Sequence, residues 1–298
     1  MKKSKAVVII FVVICGLIYP MNGKQPQAAL KSKTVKQLKT TARAAVVMDI
    51  DQNKIISEKN DKQPLAIASI SKLMTGYLVL KKIPLTTVVQ PTTNTMAIGE
   101  ESNLSSVNLS SNETYSADEL LQAALQLSAN DAAIALGDQV SGTQTKFVRL
   151  MTKTSQSWGL TSAKWYNAAG IQNDETLDDG IAAANRAENT MSARDVAIMT
   201  RKILAKEPKI KNILNEPQIQ FDDESQDTNF VLMQNYFENT KYTVTGAKLG
   251  VSEKSGVSYV GLFTYQGKHY ITVVLHADRY TNVPAVFRET KRILNQTI

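Results

Sequence analysis

A serine and a lysine stand three residues apart in "IASISKLMT", as Ser69 and Lys72. A serine hydroxyl becomes a nucleophile when a base takes its proton. Residues three apart share one face of a helix, and a lysine shielded from water has a lowered pKa that suits it as that base. The spacing therefore predicts a Ser-Lys nucleophile, but taken alone it more often marks a capped helix with a surface lysine.

A histidine base has little support in this chain. The two histidines, His269 and His276, fall in one C-terminal hairpin, with no evident aspartate partner and no Gly-x-Ser-x-Gly motif anywhere in the sequence. A Ser-His-Asp triad is therefore not the expected arrangement.

Two later motifs make the Ser-Lys hypothesis more specific. Ser128 and Asn130 flank Ala129 at a predicted helix break, where a hydroxyl and an amide could face one cleft. Lys248 and Gly250 come before the last hairpin, where a lysine on an edge strand and a glycine that admits a ligand's backbone would anchor a substrate. The order Ser-x-x-Lys, Ser-x-Asn, Lys-x-Gly is the motif set of β-lactamases and penicillin-binding proteins.

The secondary structure that would position these motifs is strand-rich at both ends. A β-hairpin is predicted over 42–60, an amphipathic helix after Ser69, and loops with short strands over 86–114. A capping box, Ser116 to Glu119, opens a helical run that continues on both sides of the second motif.

The remaining predicted elements are also helices and a β-hairpin. They are helices over 143–158 and 192–204, a hairpin that turns at Gln266-Gly267, and a final amphipathic helix over 283–295. Strands near both ends with helices between them predict an α+β fold, in which one antiparallel sheet forms from the two ends and helices pack on it.

The first residues have the pattern of a targeting segment. Three lysines precede an apolar run from Ala6 to Tyr19 that is too short for a comfortable membrane span. Residues 1–23 are therefore predicted to be a signal peptide or an uncleaved signal anchor, and the absence of a clear cleavage site leaves both open. Bulky residues before Cys15 argue against lipoprotein processing. The expected location is extracytoplasmic, either secreted or anchored to the outer face of the bacterial plasma membrane.

The net charge of +7 belongs to the N-terminal part of the chain. Residues 1–41 carry eight lysines and no acid, so the remainder, 42–298, carries about −1. Residues 24–41 are predicted to be a basic linker, either solvated or attracted to anionic lipids or wall polymers, and 42–298 to be the folded domain. A basic patch on that domain is not expected, which removes the main support for nucleic-acid binding.

Cys15 is the only cysteine, so the exported domain is predicted to fold without disulfides. The sequence also lacks a histidine pair or cysteine cluster with metal-ligand spacing. Neither a metal nor an organic cofactor is therefore expected.

From about residue 41 to the end, the sequence resembles the serine-type D-alanyl-D-alanine carboxypeptidases, which are the low-molecular-mass penicillin-binding proteins of peptidase family S11. The likeness includes the opening hairpin with the Ser69 motif, "LLQAALQLSANDAAIAL", "WYNAAG", "MSARDVAIM" and "VTGAKLGVSEKSGVSYVGLF". It implies a β-lactamase/penicillin-binding-protein-like transpeptidase fold that binds peptidoglycan stem peptides and β-lactam antibiotics. The implied reaction is removal of the terminal D-Ala from the stem peptide.

The resemblance also implies catalytic roles. Ser69 would attack the D-Ala-D-Ala carbonyl and become acylated, Lys72 would take its proton, and Ser128 would relay protons. The backbone N–H of Ser69 and that of a residue soon after Gly250 would form the oxyanion hole.

The same comparison implies residues that bind substrate. Asn130 would hold the substrate amide, and Lys248 would bind its terminal carboxylate. Arg279 would either face that carboxylate or lie solvated in its loop. Arg194 also matches the family and is expected to be structural.

Leu249 departs from the family pattern, because the third motif is usually Lys-Thr-Gly and the threonine hydroxyl helps to bind the carboxylate. Losing one such contact would cost roughly 1.5–3 kcal/mol, or about 10- to 150-fold in transition-state binding. A catalytically weak or inactive wall-binding homologue is therefore an alternative. A class A-like β-lactamase is less expected, since its deacylating glutamate would fall about 36 residues after Asn130, where this chain has "WYNAAG".

Overall fold

The computed structural model describes residues 35–101, 103–172, 187–222 and 224–298. Within these ranges the strands are β1 Lys36–Gln37, β2 Ala44–Asp49, β3 Lys54–Lys59, β4 Pro64–Ala66, β5 Val88–Val89, β6 Tyr115–Ser116, β7 Thr190–Ser192, β8 Gln218–Phe221, β9 Glu224–Asp227, β10 Thr243–Ser252, β11 Gly256–Tyr265 and β12 Lys268–Leu275. The α-helices are α1 Lys72–Lys82, α2 Thr93–Glu100, α3 Ala117–Gln122, α4 Asn130–Ser141, α5 Gln144–Ser157, α6 Ala193–Lys206, α7 Pro208–Asn215, α8 Asn229–Phe237 and α9 Pro284–Thr297.

The central sheet joins the two ends of the described chain. Its strand order is β1-β3-β2-β12-β11-β10, so the early hairpin pairs with the last strand and β10 forms one edge. Every pairing is antiparallel except that of β1 with β3, which is parallel. The predicted α+β fold, with a sheet built from N- and C-terminal strands, is confirmed.

Helices cover both faces of this sheet and create two apolar cores. Alternate residues of a strand point to opposite faces. On β12, Ile271 and Val273 face the helices α1 to α7, whereas Tyr270 and Val274 face α8 and α9. The strand is therefore apolar along most of its length, because both of its faces are buried.

Several local predictions are confirmed in detail. The capping box of Ser116 and Glu119 is formed, and Ser192 caps α6 with its side chain. Thr143, at the predicted start of its helix, also caps α5. The last hairpin turns at Gln266-Gly267, and both residues have positive φ as a tight hairpin turn requires.

Helix α2 was not predicted, because "TNTMAIGE" has weak helix formers and lies in a Thr/Asn/Ser-rich stretch. Burial of Thr95 and Ile98 against the core, together with a side-chain cap from Thr92, stabilises the helix despite this low propensity.

The first described residues, 35–41, pack with the rest of the folded chain. The folded unit comprises Val35–Ile298. Residues 35–41 belong to it because Leu38 is buried and the backbone N–H groups of Lys39 and Thr41 donate to side chains of α9. The predicted signal segment and residues 24–34 lie outside the described residues. In the part of the chain that is described, none of the helices has the length and apolar character needed to cross a bilayer.

Candidate active site

Ser69 lies in a short 3₁₀ turn, Ala68–Ser71, that leads directly into α1. The residue before it, Ala68, has φ of 43°, a left-handed conformation that costs a non-glycine residue roughly 1–2 kcal/mol. Gly170 packs against the carbonyl of Ala68 so closely that any side chain at 170 would overlap it. The turn that presents the nucleophile is thus fixed by its surroundings.

Lys72 is the first residue of α1 and is fully buried. Its Nζ lies 2.8 Å from Ser69 Oγ, 2.7 Å from Asn130 Oδ1 and 2.9 Å from the carbonyl oxygen of Ala169. Burial lowers the pKa of Lys72 well below its usual value, and the nearby charge of Lys248 lowers it further, while Asp131 opposes the change. The neutral amine is therefore formed more easily than in a lysine exposed to water.

The hydrogen bonds around Lys72 set the direction of its lone pair. A neutral amine has two N–H groups and one lone pair, and a carbonyl oxygen such as that of Ala169 can only accept. Asn130 donates its Nδ2 to the carbonyl of Ser105 at 2.8 Å, so its Oδ1 also accepts from Lys72. With both N–H groups used, the lone pair points to the Ser69 hydroxyl, which is the geometry of a general base.

Ser128 and Lys248 form a second polar pair. A short π-helix, Ala123–Leu127, ends at Ser128, whose φ of 65° breaks the helix as predicted. Lys248, on β10, is buried and its Nζ donates to Ser128 Oγ at 2.9 Å. Burial lowers the pKa of Lys248 to about 7. Its charge can therefore change near neutral pH, so it can hold an anion or exchange a proton.

Asp131 is a site residue that the sequence analysis missed. It is fully buried, and its carboxylate accepts the backbone N–H groups of Val107 and Leu109. These bonds fix the loop whose Ser105 carbonyl orients Asn130. An acid in the first turn of a helix is common for electrostatic reasons, so its type and position gave no distinctive signal.

Gly250 brings β10 against the nucleophile turn, since a Cβ at this position would overlap the carbonyl of Ile67. Its neighbour Leu249 points to the other face of the sheet. Leu249 is 7% exposed and packs in the apolar core beneath α8 and α9, in register opposite Tyr259.

A cavity of about 430 Å³ opens beside Ser69. It is lined by Ala68, Ser69, Glu101, Asn103, Leu104, Ser105, Asn130, Gly170, Ile171, Gln172, Val251, Ser252, Glu253 and Tyr280. One wall is β10, which is a sheet edge and can pair with an extended peptide. Exposed Val251 and Tyr280 add apolar surface at the same opening.

The two candidate arginines lie elsewhere. Arg279 is exposed and is not among the residues that line the cavity, although its neighbour Tyr280 is. Arg194 forms ion pairs with Glu58, at 2.9 Å, and with Asp61. These pairs tie α6 to the β3 region, as expected for a structural residue.

These features define the class of protein. A serine with an oriented, buried lysine base, a second hydroxyl-lysine pair and an open sheet edge beside a cavity make up a serine acyl-transfer site. Among the described residues, no cluster of His, Cys, Asp or Glu side chains could hold a metal ion.

Comparison with known proteins identifies the family. The sequence profile of the D-alanyl-D-alanine carboxypeptidases, Peptidase S11, matches residues 31–279, and the chain belongs to this family. It is 28% identical over 278 residues to D-alanyl-D-alanine carboxypeptidase DacC of Escherichia coli, which covers 90% of this chain and 64% of the relative. The match to DacF of Bacillus subtilis is also 28% identical and covers 58% of this chain and 41% of the relative. The chain thus spans less than two thirds of the length of these relatives.

Solved structures agree with the fold. A peptidoglycan synthesis regulatory factor (PBP3) of Streptococcus pneumoniae is 33% identical, with a TM-score of 0.79 over 87% of this chain and 74% of that one. The ampicillin-bound penicillin-binding protein D2 of Listeria monocytogenes is 21% identical, with a TM-score of 0.71 over 87% and 98% of the two chains. The implied penicillin-binding-protein fold is therefore confirmed.

Proposed function

We propose that this protein is a serine-type D-Ala-D-Ala carboxypeptidase that acts on peptidoglycan stem peptides outside the cytoplasm and is acylated by β-lactams. The observation that carries the proposal is the set of contacts around Lys72, which leaves its lone pair directed at Ser69 beside an open cavity. Family membership supplies the substrate class.

Acylation begins when Ser69 Oγ attacks the carbonyl carbon of the penultimate D-Ala and Lys72 takes the hydroxyl proton. The oxyanion accepts hydrogen bonds from the N–H of Ser69 and from an N–H of β10 after Gly250. Protonated Lys248 attracts the terminal carboxylate of the substrate, because both groups are then charged and shielded from water.

The C–N bond then breaks and Ser69 keeps the acyl group as an ester. The leaving nitrogen takes the proton that Lys72 accepted from Ser69, relayed through the hydroxyl of Ser128, which bonds Lys248. Lys72 is then neutral again, and free D-Ala departs. Water attacks the ester, Lys72 accepts a proton from it, and the shortened peptide leaves as a carboxylate while Ser69 regains its proton. When a β-lactam acylates Ser69, the amine of the opened ring stays covalently attached to the acyl group and does not depart. The ester is therefore expected to persist.

The test uses a fluorescent penicillin and a pentapeptide ending in D-Ala-D-Ala. Wild type should become labelled and release D-Ala, and Ser69→Ala should do neither. Ser71→Ala is the matched control, because Ser71 lies in the same turn and its buried hydroxyl has no hydrogen-bond partner in the described part of the chain. Labelling of Ser69→Ala would contradict the proposal.

A penicillin-binding homologue with little carboxypeptidase activity is the second candidate, and Leu249 is the observation that favours it. It predicts labelling of wild type without release of D-Ala. Rapid, repeated hydrolysis of a chromogenic cephalosporin would instead indicate a β-lactamase.

A further inference from the structure

We propose that Asn167 and Asn189, two buried amides behind the site, are positioning residues that shape residues 166–171 into a rigid acceptor for the Lys72 amine. The inference rests on the proposed function, because it assigns these residues a part in orienting the base of that reaction. Neither residue touches the cavity, and both act through the backbone of the segment between them and Lys72.

Asn167 organises the segment from within. Its Oδ1 accepts the backbone N–H groups of Ala169, at 3.1 Å, and Gly170, at 2.7 Å. Its Nδ2 donates to the carbonyl of Ile171 at 2.9 Å. Since this segment is neither helix nor strand, the side chain of Asn167 supplies the backbone partners that regular structure would provide.

Asn189 holds the other end of the segment. Its Oδ1 accepts the N–H of Tyr166 at 2.6 Å, and its Nδ2 donates to the carbonyl of Asn167 at 2.8 Å. Its own backbone carbonyl accepts from the N–H of Ile67, two residues before the nucleophile, at 3.0 Å. Asn189 therefore links the nucleophile turn to the segment that contacts the base.

The carbonyls fixed in this way point at α1. The oxygen of Ala169 accepts from Lys72 Nζ at 2.9 Å, and that of Ala168 accepts from Thr75 Oγ1 at 2.6 Å. Ala169 is one of the two acceptors that occupy the N–H groups of Lys72 and so direct its lone pair to Ser69. If this carbonyl moved, one N–H group of Lys72 would lose its acceptor. The lone pair of Lys72 would then no longer be held toward Ser69.

The same displacement would change the proton affinity of Lys72. The charged groups that act on its pKa are Lys248 on β10 and Asp131 on α4, and the turn before α1 adds the uncharged hydroxyl of Ser69. The segment 166–171 contains one ionisable side chain, Tyr166, and no acidic or basic residue, and it packs over Lys72. Because burial is the main cause of the low pKa of Lys72, a loosened cover that admits water would raise it.

The experiment compares Asn167→Ser and Asn189→Ser with wild type and with Ser155→Ala, using the full chain. Ser155 is a matched control, since it accepts a buried 2.8 Å hydrogen bond from Trp165 next to the same segment without contacting Lys72. Two readouts are recorded from pH 6 to 10. They are the NMR titration of Lys72 in protein labelled with ε-¹³C-lysine, assigned with Lys72→Met, and the rate of acylation by a fluorescent penicillin.

In both asparagine variants the Lys72 midpoint should rise by one unit or more, which lowers acylation about tenfold or more below that midpoint. The defect should shrink as the pH rises above the raised midpoint, because the amine then becomes neutral in every variant, and Ser155→Ala should titrate as wild type does. An unchanged midpoint, an equal shift in Ser155→Ala, or a rate defect of the same size at every pH would overturn the proposal. So would loss of the folded state in both asparagine variants, because the amides would then serve the whole domain.

The NMR readout does not depend on acylation. If penicillin fails to label wild type while the Lys72 midpoint still rises in the variants, the positioning proposal stands and the proposed function fails. If wild type is labelled but the Lys72 midpoint does not move in the variants, the proposed function stands and the positioning proposal fails.

Discussion

Both faces of the central sheet pack into apolar cores, but they differ in the other side chains that they bury. The face toward α1 to α7 also buries ionisable and amide side chains, among them Lys72, Lys248 and Asn130. The face toward α8 and α9 is packed with aromatic rings, and Phe237, Phe263 and Phe287 are all nearly inaccessible. Consecutive residues of β10 show the contrast, since Lys248 lies on the first face and Leu249 on the second.

This contrast separates stability from chemistry. A lysine whose pKa is lowered by burial destabilises the folded state, because the unfolded chain binds the proton more tightly. Apolar burial on the opposite face, at about 25 cal/mol per Å² removed from water, offsets that cost without approaching the reacting atoms. Substitutions on the two faces should therefore affect different measurements.

The largest effect is expected from Lys72→Met, on the side of the sheet that faces α1 to α7. It removes the general base while it retains most of the volume of the side chain, so acylation should fall about 10²- to 10⁴-fold. Stopped-flow labelling with a fluorescent penicillin measures the rate. A rate within a few-fold of wild type would mean that another group takes the proton from Ser69.

On the face toward α8 and α9, Phe287→Ala should chiefly reduce the free energy of unfolding. Phe287 packs against Tyr236 and Tyr259, and truncation of such a ring costs about 3–5 kcal/mol. Urea denaturation measures the loss, and titration with penicillin gives the acylation rate per folded molecule, which should stay within about twofold of wild type. If acylation instead fell in proportion to stability, the two faces would not be separable. Phe287→Leu provides a milder version should the alanine variant unfold.

Lys248→Met should stabilise the protein at low pH while it impairs substrate binding. The pKa of Lys248 is about 7 in the folded state and 10.5 as its ordinary value, so the unfolded chain holds the extra proton between these pH values. Wild-type stability should rise with pH across that interval, and below it the full penalty applies. The variant should gain on the order of 5 kcal/mol at pH 6 and little near pH 10.5.

Chemical denaturation of wild type and Lys248→Met at pH 6, 8 and 10 checks this expectation. Lys202→Met is the control, because Lys202 lies on α6 and stacks over Trp158 outside the site. A stability difference that does not vary with pH would show that Lys248 does not titrate in this interval.

The sequence predicted the residues of the site better than the contacts that orient them. The three motifs could be found because their residue types and spacing are distinctive, and the structure brings Ser69, Lys72, Ser128, Asn130 and Lys248 together. Asn167 and Asn189 lie far apart in sequence and bond mainly to backbone groups. Asn167 lies in the "WYNAAG" segment that resembles the family, but neither its residue type nor its spacing predicts the backbone groups that it bonds, so only the folded chain reveals its contacts.

Strand pairing could be predicted from apolar runs and turns, but helices such as α8 and the packing of residues 35–41 could not. Both depend on packing against distant residues, which overrides local propensity. Leu249 illustrates the same limit, because the motif alone places it in a substrate clamp and only the strand register shows which face it occupies.

The smallest effect is expected from Leu249→Thr, with Leu249→Val as a control of nearly equal shape that lacks the hydroxyl. Leu249→Val should lose about 1–2 kcal/mol, because it removes buried apolar volume from the core beneath α8 and α9, and Leu249→Thr should lose more, because it also buries a hydroxyl there. Since the side chain of Leu249 lies in that core, on the opposite face of the sheet from Lys248, D-Ala release should change by less than about threefold in either. A gain of about 10-fold or more in the threonine variant alone would locate the carboxylate clamp at this position, as the usual Lys-Thr-Gly pattern implies. Equal rates in the two variants would instead confine the role of position 249 to packing on the face toward α8 and α9.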